Sequence, residues 1–290
     1  MSTDTLDIAQ RFGSGRAVQR IEDEGLLKGL GQYTDDLAPE GQLRAVFVRS
    51  PYPHARIVSV DTANAASMPG VVKVVSGREL ADAGVRPIPT LPALPDAPKP
   101  PTPERRVLAL DEVRFVGEAV ALVVAETLQQ ARDAAEAVWV EYEELPHVTD
   151  VEEATTPGAP LVYAQAPGNL AAQLRHGDAQ KAADAFAQAA HVVQLEVVNQ
   201  RVVALSIEPR SVLAWVAEDG RLTLRMSSQM PSGVKNSICN DVLGLPRDQV
   251  RVTVGDVGGG FGMKAGIYPE DGATGWGGGE AQTPGKGVAA

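Results

Sequence analysis

The sequence predicts an α/β domain over residues 20–150, followed by the beginning of a second, α+β domain. Short β-rich runs separated by helical stretches fill the first region, and one helical stretch followed by several β-rich runs fills the second. Residues 151–170 carry glycine and proline without periodicity, so they mark the boundary. The 290 residues suffice for about two domains of ~150 residues each.

Runs of β-forming residues predict the strands of the first domain. They lie at residues 43–50, 55–60, 71–75, 113–117, 119–125 and 138–142. Residues 127–137 are rich in alanine and predict a helix with Thr127 as its N-cap, because a threonine hydroxyl can accept from free N–H groups of the first turn. A short helix is predicted at residues 78–83.

Prolines crowd residues 87–103, PIPTLPALPDAPKPPTP, which cannot sustain a helix or a central strand. An extended surface loop within the first domain is favoured, because the strand pattern resumes directly afterwards. A linker between two domains is the alternative.

The second domain opens with a predicted helix over residues 178–190, in which alanines and Phe186 share one face. Strands are predicted at residues 192–198, 201–206, 211–216, 222–227 and 250–254. The turn Glu218-Asp219-Gly220 joins two of them as a hairpin. A helix over 234–243 ends at Gly244, as is typical of a glycine C-cap.

Composition excludes several classes of protein. A net charge of −11 argues against nucleic acid or an anionic membrane as partner, because phosphate binding requires a basic surface. One cysteine, Cys239, excludes a disulfide framework and an iron–sulfur cluster bound by this chain alone, and we expect it to be buried. No run of about 18 apolar residues is present, and the first residues lack a secretory pattern, so we expect a cytoplasmic protein.

The titratable residues form no recognisable catalytic or metal-binding pattern. The four histidines are scattered without the spacing of a metal site, and we expect them to be structural or exposed. They are His54, His147, His176 and His191. Glu141, Glu143 and Glu144 follow a strand without converging on a site, so none is assigned as a catalytic base.

The most unusual stretch is VRVTVGDVGGGFGMK at residues 250–264, where a predicted strand leads into a glycine-rich turn. Glycines permit positive φ angles and let a ligand approach bare backbone N–H groups. The spacing disfavours a nucleotide loop, because Ala265 follows Lys264 where a Walker motif has Ser or Thr, and Met263 replaces the last glycine of G-x-G-x-x-G. A tight structural turn is the alternative to a binding loop.

Several segments in the same order resemble one family. They are VQRIED at 18–23, LKGLGQYTDD at 27–36, FVRSPYPHAR at 47–56, VRFVGEAV at 113–120, ARDAAEAVWVEYEELP at 131–146, IEPR at 207–210, SSQ at 227–229 and GGGFGMK at 258–264. Together they resemble the large subunit of the molybdenum hydroxylases, the family of xanthine dehydrogenase, aldehyde oxidase and carbon monoxide dehydrogenase.

The resemblance implies an α/β hammerhead domain followed by a partial α+β molybdopterin-binding domain. The hammerhead domain would occupy residues 19–150 after a mobile arm of residues 1–18. Residues 151–170 would be a linker, and residues 171–273 the truncated start of the molybdopterin-binding domain.

The resemblance also implies a set of cofactor-binding residues: Gln229, Gly258, Gly259, Gly260, Phe261 and Gly262. Gln229 would hydrogen-bond a molybdenum oxo ligand, since an amide is neutral and can donate. Phe261 and Gly262 would present backbone N–H groups to the cofactor. Lys264 would either approach the cofactor or be solvated.

Three further residues bear on this site. Glu208 and Arg210 are expected to form a structural ion pair, with a role at the cofactor as the alternative. Ala265 occupies the position where purine-hydroxylating members carry a substrate-binding glutamate, which disfavours a purine substrate.

The activity implied is oxidative hydroxylation of an aldehyde, a heterocycle or carbon monoxide, with electrons passing to an iron–sulfur subunit and an FAD subunit. The full-length subunit would carry a molybdenum–molybdopterin cofactor in the cytosine dinucleotide form. The family's general-base glutamate lies near the C-terminus of the full-length subunit, so no catalytic residue is predicted within this chain.

The resemblance ends near Thr274. Residues 274–290, TGWGGGEAQTPGKGVAA, contain few apolar residues, and we predict a disordered tail produced by a frameshift or premature stop. A chain of this kind is expected to hold no cofactor tightly. The alternative to an enzyme component is therefore a non-catalytic remnant that binds no cofactor by itself.

Overall fold

The computed structural model describes residues 19–90, 103–173, 176–199, 203–280 and, by their backbone, 288–289. Its α-helices are α1 (Asp23–Leu27), α2 (Ala63–Ala66), α3 (Gly77–Asp82), α4 (Leu128–Ala137), α5 (Ala179–Gln188), α6 (Pro231–Asn236) and α7 (Pro269–Glu280). Its strands are β1 (Leu43–Arg49), β2 (Ala55–Asp61), β3 (Val71–Ser76), β4 (Glu112–Val113), β5 (Ala119–Ala125), β6 (Trp139–Glu144), β7 (Val212–Val216), β8 (Leu222–Met226), β9 (Val250–Thr253) and β10 (Val288–Ala289). The predicted arm at 1–18 and most of the proline-rich loop lie outside the described residues.

The first part of the chain is built around β5, which is buried along its whole length. Its sequence AVALVVA suits this position because every side chain is apolar, and β1 and β3 pair with it on either side. Helix α4 packs on this sheet through Ala134, and Thr127 accepts a hydrogen bond from the Gln130 N–H as its N-cap. The predicted helix and its cap are confirmed.

A second, three-stranded sheet has the order β4-β2-β6. It packs against β5 through Ala55 and Val113, which share a buried cluster with Val120. The predicted strand at 113–117 is reduced to Glu112–Val113, because Gly117 adopts a positive φ of 93° and turns the chain directly before β5.

The remaining strands join the first sheet rather than forming a separate one. β7 and β8 form the predicted hairpin, and β9 pairs in parallel with β8. β10 lies between β1 and β7, so a single seven-stranded sheet runs in the order β3-β5-β1-β10-β7-β8-β9. Strands from both sides of the predicted boundary at 151–170 therefore share one sheet.

The predicted helix over 234–243 is present with an earlier start. α6 begins at Pro231, and a π-helical stretch from Ser237 to Val242 continues it. Gly244 follows with a φ of 67°, which is the left-handed conformation expected of a glycine C-cap.

The predicted strands at 192–198 and 201–206 are wrong for the residues that the structure describes there. Residues 192–199 and 203–206 have no strand partner, and Val193 and Leu205 are 89% and 85% exposed. A β-rich run becomes a strand only when a neighbouring strand supplies hydrogen bonds and covers its side chains. The composition of a segment indicates that its residues suit a strand, but it does not indicate whether a neighbouring strand will pair with it.

The predicted disorder of residues 274–290 is wrong for residues 274–280, which complete α7. Trp276 packs on the main core, and Gly278 lies so close to β7 that an added Cβ would stand 2.7 Å from Ala214. The glycines expose backbone that can pack directly on a sheet, so few apolar side chains are needed. Residues 281–287 and 290 lie outside the described part.

Candidate functional site

The glycine-rich turn that follows β9 takes a conformation only glycine adopts readily. Gly259 and Gly262 have φ angles of 101° and 84°, and Phe261 is in the left-handed region at 49°. The aromatic side chain of Phe261 is 75% exposed.

Two glycines let the turn lie directly against neighbouring segments. A Cβ on Gly260 would stand 2.4 Å from the Gln229 Cδ, and one on Gly258 would stand 2.5 Å from the Glu208 Cβ. The turn therefore packs on the chain before β7 and on the chain after β8, and larger residues would push it away from both.

Gln229 anchors the turn and retains a free donor. Its backbone N–H donates to the Lys264 carbonyl at 2.8 Å. Its side-chain Oε1 accepts from the N–H groups of Gly262 at 3.0 Å and Lys264 at 3.3 Å. The side chain is exposed, and its Nε2 has no partner among the described residues. An amide held by its oxygen presents its NH2 group outward, as a donor.

The backbone N–H groups of the turn divide into used and unused donors. Gly258 donates to Glu208 Oε2 and Gly262 donates to Gln229, so the predicted donor role of Gly262 toward a ligand conflicts with its observed partner. In the described part of the chain, Gly259, Gly260 and Phe261 donate to no protein group. Three consecutive free N–H groups beside an outward amide can bind a ligand rich in acceptor atoms.

A buried ion pair supports the turn from behind. Lys264 is 2% exposed, and its Nζ donates to Glu208 Oε2 at 2.8 Å and to the Glu208 carbonyl at 2.8 Å. Glu208 Oε2 also accepts from Ser227 Oγ at 2.6 Å. Lys264 is thus neither solvated nor directed at a ligand, and both alternatives considered from the sequence are wrong.

The pKa of Glu208 lies below its ordinary value. Burial raises this pKa, but the hydrogen bonds from Lys264, Ser227 and the Gly258 N–H outweigh burial and favour the carboxylate. The other carboxylate oxygen, Oε1, is buried and has no hydrogen-bond partner among the described residues. Glu208 is therefore an anion at neutral pH that holds together the parts of the site.

Arg210 has a different partner from the one expected. It lies 3.6 Å from Glu270 and 3.6 Å from the centroid of the Tyr268 ring, so the expected Glu208–Arg210 pair is wrong. Arg49 also binds Glu270, at 2.7 Å. No sequence signal identifies this cluster, because Arg49, Arg210 and Glu270 are far apart in the chain.

The other predicted residues lie away from the turn. His54 Nδ1 is 2.9 Å from the Pro146 carbonyl, and Cys239 is 2% exposed with a pKa raised by burial. Glu143 pairs with Arg56 on the surface of the small sheet. Within the described ranges, no group of three or more His, Cys, Asp or Glu side chains is placed to hold a metal ion.

Among the described helices, none is long and apolar enough to cross a membrane.

Two family models match adjoining parts of the chain. The aldehyde oxidase and xanthine dehydrogenase a/b hammerhead domain matches residues 28–146. The molybdopterin cofactor-binding domain matches residues 162–287. The second match contains Glu208, Gln229 and the whole glycine-rich turn.

Curated relatives agree with both models. The nicotine 6-hydroxylase large subunit of Paenarthrobacter nicotinovorans is 38% identical, over 89% of this chain and 31% of its own length. The carbon monoxide dehydrogenase large chain of Afipia carboxidovorans is 34% identical, over 88% of this chain and 32% of its own length. The chain thus spans about a third of the length of the relatives that it matches.

Solved structures show the same fold. Quinoline 2-oxidoreductase from Pseudomonas putida 86 superposes with a TM-score of 0.84 at 36% identity, covering 95% of this chain and 34% of that one. Reconstituted CO dehydrogenase from Oligotropha carboxidovorans superposes with a TM-score of 0.82 at 32% identity, covering 95% of this chain and 34% of that one. With both domain types, their order and their fold in agreement, the chain belongs to the molybdenum hydroxylase family, as a part of its large, molybdopterin-binding subunit.

Proposed function

We propose that this chain forms part of the cofactor site of a molybdenum-dependent hydroxylase. The observation that carries the proposal is the row of free N–H groups at Gly259, Gly260 and Phe261 beside the outward amide of Gln229. A pyranopterin and the oxo ligands of molybdenum are rich in acceptor atoms, so their chemistry fits these donors.

The residues of this chain would bind and orient the cofactor. Gln229 Nε2 would donate to an oxo ligand, while its Oε1 stays bound to the turn. Gly258 and Gly260 let the turn pack closely against Glu208 and Gln229, so its free N–H groups would serve the same cofactor. When bound, the molybdenum–molybdopterin group supplies two-electron oxidation of a carbon centre, with the oxygen taken from water.

Glu208 and Lys264 would fix the positions of the parts of the site without contacting the cofactor. Lys264 is buried behind the turn, and Glu208 holds it together with Ser227 and Gly258. Because the segment around Gln229 and the turn share this anchor, the amide and the free N–H groups keep a constant separation.

The reaction proposed is oxidative hydroxylation of an aldehyde, a heterocycle or carbon monoxide. Electrons would leave through an iron–sulfur subunit and an FAD subunit, and the cofactor would carry a cytosine dinucleotide. Relatives named for nicotine and for carbon monoxide support the heterocycle and carbon monoxide as substrates. Ala265 in place of a glutamate argues against a purine. We also propose a cytoplasmic location for the protein and its iron–sulfur and FAD subunits.

The chain by itself is proposed to hold the cofactor weakly. Gln229 and Phe261 are exposed, so one side of a bound cofactor would remain in contact with water. Water competes for every donor on that side, and the affinity falls accordingly. A remnant that binds no cofactor is the competing proposal.

Molybdenum analysis of the 290-residue protein, co-expressed with cofactor-synthesis enzymes, distinguishes the two. We expect substoichiometric molybdenum that is lost on dialysis, and at least tenfold less with Gln229→Ala, since one hydrogen bond to a charged group contributes about 1.5–3 kcal/mol. Gln129→Ala removes another exposed amide, which donates to Asp133 on α4, and should leave the molybdenum content unchanged. If the purified protein never contains molybdenum, the remnant proposal is supported. If Gln229→Ala contains as much molybdenum as the original protein, the role of Gln229 is overturned.

A further inference from the structure

The stretch of residues 176–199 lies entirely on the surface. Every residue in it is exposed, including all 10 residues of helix α5. An isolated helix shorter than about 12–15 residues is only marginally stable in water, so α5 requires a partner that covers its apolar face. That face includes Phe186, which is 64% exposed.

A run of large apolar residues follows α5 and is equally exposed. Where the structure describes residues 192–207, each large apolar side chain is more than half exposed. These side chains are Val192, Val193, Leu195, Val197, Val198, Val203, Leu205 and Ile207. Burying one such side chain removes about 60–120 Å² from water, so together with Phe186 they offer on the order of 800 Å². That area is about one partner's share of a standard protein–protein interface, and monomeric proteins rarely expose so much apolar surface in one stretch.

The first part of this run is complementary to itself. Residues 192–198 read VVQLEVV, a pattern that is symmetric in residue character about Leu195. When two copies pair as antiparallel strands with Leu195 opposite Leu195, Val193 of each copy faces Val197 of the other. Each Glu196 then faces a glutamine, so no like charges stand opposite each other. The identity of the covering partner is therefore written into the segment as a second copy of itself.

The same pairing supplies a partner for α5. In an antiparallel pair, the chain that leaves one strand runs alongside the chain that enters the other. The apolar residues after the pairing segment, Leu205 and Ile207 among them, therefore run toward α5 of the second copy and its exposed Phe186 face. A twofold axis repeats this contact on the other side, so both exposed elements are covered at once.

We propose that residues 179–199 and 203–207 form a symmetric interface with a second copy of this chain, built on antiparallel pairing of residues 192–198 about Leu195. A twofold interface uses the same surface on both copies, so association ends at the dimer. The proposal is independent of the cofactor site, because it uses none of the residues around the glycine-rich turn.

Sedimentation equilibrium of the 290-residue protein tests the proposal. We expect a species with twice the mass of one chain that dissociates on dilution, and slowed hydrogen exchange of the amides of residues 193–197 in that species. A monomer at every concentration, or assemblies that grow beyond the dimer, would overturn the proposal. Slow exchange of the same amides in a monomer would also overturn it, because another part of the same chain would then cover them.

Two leucine variants form a matched pair. Leu195→Lys places two lysines opposite each other at the centre of the pairing, so the dissociation constant of the dimer should rise at least about tenfold. Leu27→Lys on α1 is the control, because Leu27 is 88% exposed and Leu195 is 81% exposed, and it should leave the dissociation constant unchanged. Equal dissociation constants for the two variants would overturn the pairing about Leu195.

Single cysteines test the register without adding charge. Leu195→Cys should form a disulfide-linked dimer with oxidised glutathione, because opposite Cα atoms of antiparallel strands are about 4.5–5.5 Å apart, which a disulfide can span. Val193→Cys should not, since its counterpart lies four residues away along the paired strands, on the order of 13 Å. The native Cys239 is buried and does not compete. A cross-link in Val193→Cys, or none in Leu195→Cys, on a non-reducing gel would overturn the proposed pairing.

Discussion

Glu208 connects three segments of the chain that are distant in sequence. Its carboxylate binds Lys264 in the turn, Ser227 after β8 and the Gly258 N–H. The Lys264 side chain is completely buried and that of Glu208 is 11% exposed, so neither charge is screened well by water. At the scale of single residues, the geometry of the site depends on this pair.

Replacing Glu208 with Gln should lower the free energy of unfolding by about 3 kcal/mol, because the Lys264 ammonium would stay buried without its counter-ion. The double variant Glu208→Gln, Lys264→Met should be less destabilised than the sum of the single variants, since it leaves no unpaired charge. Urea unfolding measures both effects.

The exposed pair of Arg56 and Glu143 provides the control. Its side chains are 52% and 56% exposed, and Arg56→Ala should cost less than about 1 kcal/mol. An equal cost at both pairs would show that burial of Lys264 contributes nothing to the strength of its ion pair.

Helix α7 shows how an element forms from an unsuitable sequence. Its residues PEDGATGWGGGE include five glycines, each of which costs about 1 kcal/mol relative to alanine in a helix. Close packing offsets this cost: Gly272 and Gly278 are buried, and an added Cβ on Gly272 would stand 2.9 Å from Val107. At this scale, the absence of side chains is the feature that lets the helix pack.

Two neighbouring glycines of α7 should respond in opposite ways to alanine. Gly277→Ala should raise the free energy of unfolding by about 0.5–1 kcal/mol, because a Cβ there meets nothing within 4 Å and alanine favours the helix. Gly278→Ala should lower it by about 1–3 kcal/mol, because its Cβ would stand 2.7 Å from the backbone of Ala214. Thermal unfolding followed by circular dichroism measures both, and stabilisation by Gly278→Ala would contradict the packing of α7 on β7.

At the scale of the whole molecule, one sheet joins the hammerhead strands to those of the cofactor domain. β10 completes the connection between β1 and β7, and α7 packs against β7 and β10. Asp271 lies in this junction with 8% exposure, and burial raises its pKa to about 7. The charge of Asp271 is therefore coupled to the folding of both parts.

The stability of the protein should fall as the pH rises from about 4 to about 7. The unfolded chain releases the Asp271 proton near its ordinary pKa of 3.8, while the folded chain retains it up to about 7. The folded state then binds more protons, so its free energy of unfolding decreases by at most about 1.4 kcal/mol per pH unit, and the loss is complete above about 7.

Asp271→Asn should remove this contribution, since the amide keeps an acceptor for the Tyr268 N–H and does not titrate. Chemical unfolding at pH 5, 6, 7 and 8 measures the free energy of unfolding of the variant and of the original protein. The two values should differ less at pH 5 than at pH 8. A constant difference across that range would show that Asp271 is ionised in the folded state throughout.

Most elements could be predicted from local pattern alone. β5 followed from an unbroken apolar run and α4 from its alanines and the Thr127 cap, because each depends on residues close together in sequence. The predicted strand at 192–198 is wrong because a strand also needs a neighbouring strand. Helix α7 was not predicted because its stability comes from contact with β7. Gln229 and the turn at 258–262 were identified by resemblance, and their contacts accord with a binding site without testing each residue.

By itself, the sequence determined the family, the order of the two domains and the place of the glycine-rich turn, since these depend on residue types in a linear order. Tertiary structure decided that Lys264 turns inward to Glu208, that Arg210 binds Glu270, and that Gly262 donates to Gln229. Each of these contacts joins residues far apart along the chain, and only folding brings such residues together.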